Sequence, residues 1–256
     1  GKIMSKYDEN LELIRKAVRC EPVERIPVVP CGNAYFAKSQ GVLLKDYITD
    51  FDLACETNLK ELKRIDADGT QNVIFSPYLL GTQWLSKAKY PGAGLGDDDM
   101  WQMAEAENMK FEDYEDIKKM RWDAWQKKFI AERCDDNWEK LKPFFAANPK
   151  AYQRFHEEGI PCVCDFLMIT PFEYFCGGRS LECFFMDDLM EEPELMHEIF
   201  DIVLESNLKT YRQQMIDTHA VGVWIGGWRS GPELVSPKMI DEFVWPAFEA
   251  YYNLCI

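Results

Sequence analysis

Acidic and amide side chains follow apolar segments at positions where parallel strands would end. Asp165 comes directly after an apolar run, Glu173 lies shortly beyond it, and Asn33 ends an earlier run. A carboxylate at a strand end can act as a general acid or base, or orient an ammonium or hydroxyl group. Helix capping is the alternative role for both carboxylates, whereas Asn33 offers a donor and an acceptor. We predict these three residues as catalytic candidates.

The stretch VGVWIGGWRSG, residues 221–231, ends in two glycines, a tryptophan and an arginine. Gly226 and Gly227 leave space beside the backbone for a flat ligand, and the Trp228 indole could stack on that ligand. The alternative is a glycine turn with Trp228 folded back onto the core. We predict that both glycines, Trp228 and Arg229 bind substrate.

Two further residues, Cys31 and Tyr78, stand where other strands would end. Cys31 is a candidate pocket thiol, with plain packing as the alternative, and Tyr78 joins the predicted substrate-binding residues. Cys162 and Cys164 would lie on one face of a strand. Zinc requires four ligands and this pair supplies two, so we expect both to be core residues.

Short apolar segments alternate with helical ones along the chain, which is typical of a parallel sheet covered by helices. The strand-like segments are 25–32, 69–78, 159–172 and 221–231. We predict an α/β fold, with a (β/α)8 TIM barrel that is incomplete at its C-terminal end. A doubly wound sheet is the alternative, but no G-x-G-x-x-G motif follows any segment. In a barrel, ligands lie at the carboxyl ends of the strands.

The remaining elements are predicted to belong to one domain over residues 1–256. An amphipathic helix covers 5–20, a later helix begins at Asp50 as its N-cap, and a charged helical insertion covers about 97–158. The tryptophans expected to pack this insertion are Trp84, Trp101, Trp122, Trp125 and Trp138.

The composition excludes several classes of partner. A net charge of −15 argues against nucleic acid, which requires a basic face, and against anionic membrane surfaces. No apolar run approaches the ~20 residues that span a bilayer, and the N-terminal helix lacks a signal peptide's apolar middle. Nine scattered cysteines favour reduced thiols and a cytoplasmic location.

These segments, in this order, resemble the uroporphyrinogen decarboxylase superfamily. RIPVVP is similar to its first strand, and DADGTQNVIFSPYLL to its D-A-x-x-x-F-S-D-I-L segment. GIPCVCDFLMITPFEYFCGG resembles the strand and turn G-F-x-G-x-P-F/W. The most specific part is VGVWIGGWRSGPELVSPKMIDEFVWPAF, which is like the S-P-x-x-F-x-E-F-x-x-P stretch. The resemblance covers nearly the whole chain and implies a (β/α)8 barrel.

Departures from the family pattern favour one branch of that superfamily. Uroporphyrinogen decarboxylases carry an R-Q-A-G-R-Y segment, whose arginines hold substrate carboxylates, where this chain reads CGNAYFAKSQ. Their essential aspartate in F-S-D corresponds to Pro77 here. The chain is therefore more similar to the corrinoid- and thiol-linked methyltransferases. That resemblance implies methyl transfer between a small methylated donor and a corrinoid protein or a thiol.

Many members of that branch bind zinc through a His-x-Cys and a later cysteine, and the zinc activates a thiol. This chain has no H-x-C, so the resemblance places possible zinc ligands beyond Ile256. One alternative is a decarboxylase of a carboxylated substrate, with Arg229 and Lys38 as its candidate cations. The other is a non-catalytic, barrel-derived binding module that forms a homodimer through the FVWPAFEAYYNLCI helix.

Overall fold

The computed structural model describes residues 3–164 and 166–256, which form a helix-rich, mixed α/β fold. Within these residues the helices, including two π-helical segments, are α1 (Lys6–Val18), α2 (Asn33–Ser39), α3 (Leu44–Tyr47), α4 (Phe51–Arg64), α5 (Tyr78–Trp84), α6 (Asp113–Met120), α7 (Trp122–Arg133), α8 (Asn137–Lys140), α9 (Lys142–Glu157), α10 (Pro171–Gly178), α11 (Leu181–Cys183), π1 (Phe184–Leu189), α12 (Pro193–Thr218), α13 (Pro237–Met239), π2 (Ile240–Val244) and α14 (Trp245–Cys255). The strands are β1 (Lys87–Pro91), β2 (Gly94–Leu95), β3 (Gln102–Ala104), β4 (Leu167–Ile169) and β5 (Trp224–Gly226).

Backbone hydrogen bonds place the four predicted strand segments side by side and parallel. Residues 28–30 accept bonds from residues 68–71, and Thr70 forms a parallel bridge with Cys162. Further along, β4 pairs in parallel with β5. The chain order of these segments is therefore also their order in space, as sequential β–α units require. A complete eight-stranded barrel is not shown by the described residues.

Two of the four predicted strands, at 25–32 and 69–78, do not form regular strands. In segment 25–32, Pro27 and Pro30 lack an N–H, so a continuous ladder cannot form there. In segment 69–78, the Thr70 hydroxyl donates to the Asn72 carbonyl at 2.9 Å, a local bond that competes with strand pairing. Both segments pair through isolated bonds instead.

Helix starts follow the expected capping chemistry. The Ser5 side chain accepts a bond from the Asp8 N–H at the start of α1. The predicted N-cap Asp50 is confirmed, because its carboxylate accepts from Leu53 N at 3.0 Å at the start of α4. α10 begins with Pro171 at its first position, where a missing N–H costs nothing.

The segment 97–158 is helical only from α6 onwards. Before it, β3 pairs antiparallel with β1 and β2 pairs parallel with β1, so a small sheet precedes the helices. The expected packing role of Trp122 and Trp125 agrees with their burial and their stacking at 5.7 Å between ring centroids.

One large apolar core surrounds α10 and thereby fixes the helix that carries Glu173. Phe172 and Phe175 of α10 are fully buried there, together with Phe184 of π1. Each buried phenylalanine contributes about 1.5–3 kcal/mol relative to exposure. The position of α10 is thus set by packing on several sides.

Candidate active site

Glu173 is a fully buried carboxylate in the first turn of α10. The N-terminal turn of a helix favours a negative charge, because its first N–H groups point towards that end. The sequence Thr170-Pro171-Phe172-Glu173 produces this position, with Thr170 as the N-cap residue. Glu173 therefore lies at the carboxyl end of β4, as the sequence predicted.

Two donors from distant parts of the chain bind the Glu173 carboxylate. The Trp84 Nε1–H, at the end of α5, donates to Oε2 at 2.6 Å. The Arg229 backbone N–H lies 3.0 Å from Oε1 and 3.3 Å from Oε2. A buried indole N–H requires an acceptor, and a buried carboxylate requires donors, so these bonds satisfy both.

Trp84 is a site residue that the sequence analysis missed. It was grouped with the tryptophans that pack the helical insertion, because nothing local connects it to Glu173, 89 residues further along. The sequence does show that Trp84 lies in a helix that follows a strand-like segment. That position favours a site residue, but it does not reveal which residue accepts a hydrogen bond from the indole.

Protein groups occupy the space beside the two glycines, where we expected a flat ligand. A Cβ added to Gly227 would overlap the Glu173 carboxylate and the Ser230 hydroxyl. A Cβ added to Gly226 would overlap the Trp224 indole. Glycine is required at 227 because the chain passes directly over a buried carboxylate.

Trp228 does not fold back onto the core: 45% of it is exposed. Its ring meets that of Trp84 edge-on, with centroids 5.6 Å apart. The Arg229 guanidinium carbon lies 4.0 Å from the Trp228 ring centroid, a cation–π geometry. Trp84, Trp228 and Arg229 thus form one layer of contacting side chains, and Trp84 joins this layer to Glu173.

Arg229 links this layer to the segment before α6. Its Nη2 lies 2.5 Å from Glu105 Oε2, and its Nη1 has no hydrogen-bond partner among the described residues. Burial is the largest single effect and disfavours the charged guanidinium, but Glu105 and Cys176 together outweigh it, and the pKa of Arg229 is raised. For Cys176, by contrast, burial raises the pKa to about 12, so its thiol is neutral near pH 7.

A cavity of about 850 Å³ opens beside Arg229. It lies between the segment 105–107, α11 with π1, and the loop after β5. Its lining residues are Glu105, Ala106, Glu107, Ser180, Leu181, Glu182, Phe185, Met186, Arg229 and Leu234. The cavity is large enough for a small molecule.

Asn33 and Cys31 lie together, in a group with Asn72. Asn72 Nδ2 donates to Asn33 Oδ1 at 2.8 Å, and the Cys31 thiol lies 3.4 Å from Asn72 Oδ1. Neighbouring atoms partly desolvate the Cys31 thiol and raise its pKa, although the residue as a whole is exposed. No hydrogen bond, ion pair or ring contact described for residues 3–164 and 166–256 joins this group to Glu173.

Tyr78 has no described contact with Glu173, Trp228 or Arg229. Tyr78 is the first residue of α5, and its ring packs on Tyr90 with centroids 4.5 Å apart. The Lys140 ammonium also lies over the Tyr78 ring, with its Nζ 5.5 Å from the ring centroid. Asp165 lies outside the described residues.

The two cations considered for a decarboxylase are already paired. Arg229 binds Glu105, and Lys38 Nζ lies 2.7 Å from Asp98 Oδ2. A substrate with several carboxylates needs unpaired cations that converge on one pocket. This arrangement gives the decarboxylase alternative no specific support.

The described residues contain neither a metal-binding cluster nor a membrane-spanning helix. No group of three or more His, Cys, Asp or Glu side chains there is placed to hold a metal ion. No helix in the described part of the chain is both long enough and apolar enough to cross a bilayer.

Comparison with known proteins yields one similarity of fold. No protein-family model matches the chain, and a search of curated protein sequences finds no match. Among solved structures, a methyltransferase from Methanosarcina mazei aligns with a TM-score of 0.65 and 15% sequence identity. The alignment covers 95% of this chain and 66% of that one. At this identity the likeness concerns the fold alone, and the chain has the fold seen in part of that methyltransferase.

Proposed function

We propose that this chain catalyses methyl transfer between a small methylated donor and a corrinoid protein or a thiol. The observation that supports the proposal most is the fold similarity to the Methanosarcina mazei methyltransferase over 95% of this chain. The sequence motifs that resemble the methyltransferase branch of the uroporphyrinogen decarboxylase superfamily point the same way.

In this proposal, the exposed faces of Trp228 and Arg229 border the substrate. Glu173 acts as a positioning residue, because it is fully buried and bonds to Trp84 and to the Arg229 backbone. Transfer is a substitution at carbon: the acceptor's lone pair forms the new bond to the methyl group. The donor's heteroatom keeps the electron pair of the bond that breaks.

We assign no zinc step to the described residues, among which no group of three or more His, Cys, Asp or Glu side chains is placed to hold a metal ion. A corrinoid, where it is the acceptor, would be carried by a partner protein. The group of Cys31, Asn33 and Asn72 forms a second polar patch in this proposal, to which we assign no chemical step.

The test is methyl transfer to free cob(I)alamin, used as a surrogate for a corrinoid protein. Purified protein is mixed with methylated amines, methoxylated aromatics or methyl thioethers, and the formation of methylcobalamin is followed by its absorbance. Trp228→Leu should slow transfer about five- to thirtyfold if the indole contributes about 1–2 kcal/mol to donor binding. Trp245→Leu is the matched control, because Trp245 is also exposed and its described ring contact is with Phe248 rather than with Trp84 or Arg229.

Failure of transfer with every donor class would contradict the proposal. Release of carbon dioxide from a carboxylated substrate would instead establish the decarboxylase alternative. Ligand binding without turnover, by a protein that sediments as a dimer, would favour the binding module.

A further inference from the structure

We propose that the cavity beside Arg229 binds a small organic cation with an apolar body, such as a quaternary ammonium compound. Its use as the methyl donor rests on the proposed function, but binding of the cation does not. Two features of the cavity wall support this ligand class, its apolar side and its balance of charge. A third lies next to the wall: the Trp228 indole face, which already holds the Arg229 cation.

One side of the cavity is apolar yet open to solvent. Met186 and Leu234 line it and are 54% and 46% exposed, with Phe185 between them and the core. Phe185 and Met186 belong to π1, a π-helical segment, and such segments are frequent at functional sites. Apolar side chains exposed within a concave wall are typical of ligand sites rather than of free surface.

The charged residues of the wall favour a cationic ligand. They are three carboxylates, Glu105, Glu107 and Glu182, and one guanidinium, that of Arg229. Arg229 is paired with Glu105 through Nη2, and its unbonded Nη1 is buried, so it offers little to an anion.

The other two carboxylates differ in their pairing. Glu107 Oε1 lies 2.7 Å from Arg179 Nη1, and its Oε2 lies 3.5 Å from Lys110 Nζ. Glu182 is exposed and has no ion pair among the described residues. One negative charge therefore remains uncompensated at the rim, and it would attract a cation.

A cation is already bound at one edge of this site. The Arg229 guanidinium lies between the face of Trp228 and the Glu105 carboxylate. An aromatic face together with carboxylates is the arrangement that binds quaternary ammonium groups. The adjoining cavity wall offers the same two elements to a second cation, in the Phe185 ring of π1 and the Glu182 carboxylate.

The experiment compares choline with its neutral isostere 3,3-dimethyl-1-butanol by calorimetry on the whole chain. The two compounds share shape and hydroxyl group, and differ by the charge on the central atom. We expect choline to bind at least about threefold more tightly, and its affinity to fall with added salt, because charge contributes to its recognition. Equal binding of both compounds, or no binding of choline, would overturn the proposal.

Variants locate the binding. Glu182→Gln should weaken choline binding about three- to fivefold, the effect of losing one partly exposed charge partner. Glu191→Gln is the matched control, because Glu191 is an exposed glutamate outside the cavity lining. Equal weakening by both variants would mean that choline responds only to the overall negative charge, and would overturn the site. Choline binding without transfer to cob(I)alamin would contradict the proposed function but leave the cation site standing.

Discussion

Gly227→Ala tests whether the chain must pass directly over Glu173. An added Cβ would overlap the Glu173 carboxylate and the Ser230 hydroxyl, so one of them must move. Overpacking costs about 1–3 kcal/mol, and displacing the carboxylate weakens its bonds from Trp84 and Arg229, each worth about 1.5–3 kcal/mol. We expect a loss of about 3 kcal/mol in the free energy of unfolding, measured by urea denaturation with circular dichroism.

A double-mutant cycle separates this contact from a general effect of alanine. In a Glu173→Ala background the carboxylate is absent, so Gly227→Ala should cost at least about 1 kcal/mol less than in the wild type. Gly41→Ala is the control: Gly41 has a positive φ but no atom within 4 Å of the added Cβ, so only backbone strain of about 1 kcal/mol is expected. Additive effects of the two substitutions, or wild-type stability of Gly227→Ala, would refute the contact.

Two further predictions concern buried polar groups. Trp84→Phe removes the N–H that donates to Glu173. It should lower the free energy of unfolding by about 2 kcal/mol more than Trp122→Phe does, because the Trp122 N–H has no partner among the described residues. Chemical denaturation measures both variants. The hydrogen bond from Arg25 holds the pKa of Asp68 below its usual range. The stability that Asp68 contributes is therefore present above about pH 4 and lost as the pH falls further, so Asp68→Asn should flatten the acid limb of a stability–pH curve.

Local sequence patterns predicted the starts of helices and the order of the parallel segments. Asp50 capped its helix as expected, because capping depends on residues within one turn. Regular strands at 25–32 and 69–78 were not formed, because the prolines and the local Thr70 bond remove partners from the ladder. Apolar composition alone does not report whether each N–H is available for pairing.

Long-range partners in the site were beyond sequence reasoning. The position of Glu173 at a strand end was predictable from Pro171 and the apolar run before it. Its bonds to Trp84 and to the Arg229 backbone join residues 89 and 56 positions apart, and only tertiary packing brings them together. The close approach predicted at Gly226 and Gly227 is present, but the approaching groups are protein side chains. They are the Trp224 indole at Gly226, and the Glu173 carboxylate with the Ser230 hydroxyl at Gly227.

The burial of Glu173 bears on which chemistry the site suits. A general acid must reach the substrate, whereas this carboxylate is fully buried and already accepts bonds from Trp84 and Arg229. When a methyl group leaves a quaternary ammonium donor, the amine departs with the electron pair as a neutral molecule and requires no proton. Methoxylated aromatics, by contrast, leave as an oxyanion that needs a proton or a cation. We therefore expect that, in the cobalamin assay, quaternary ammonium donors react faster than methoxylated aromatics, and the reverse order would contradict a purely positioning role for Glu173.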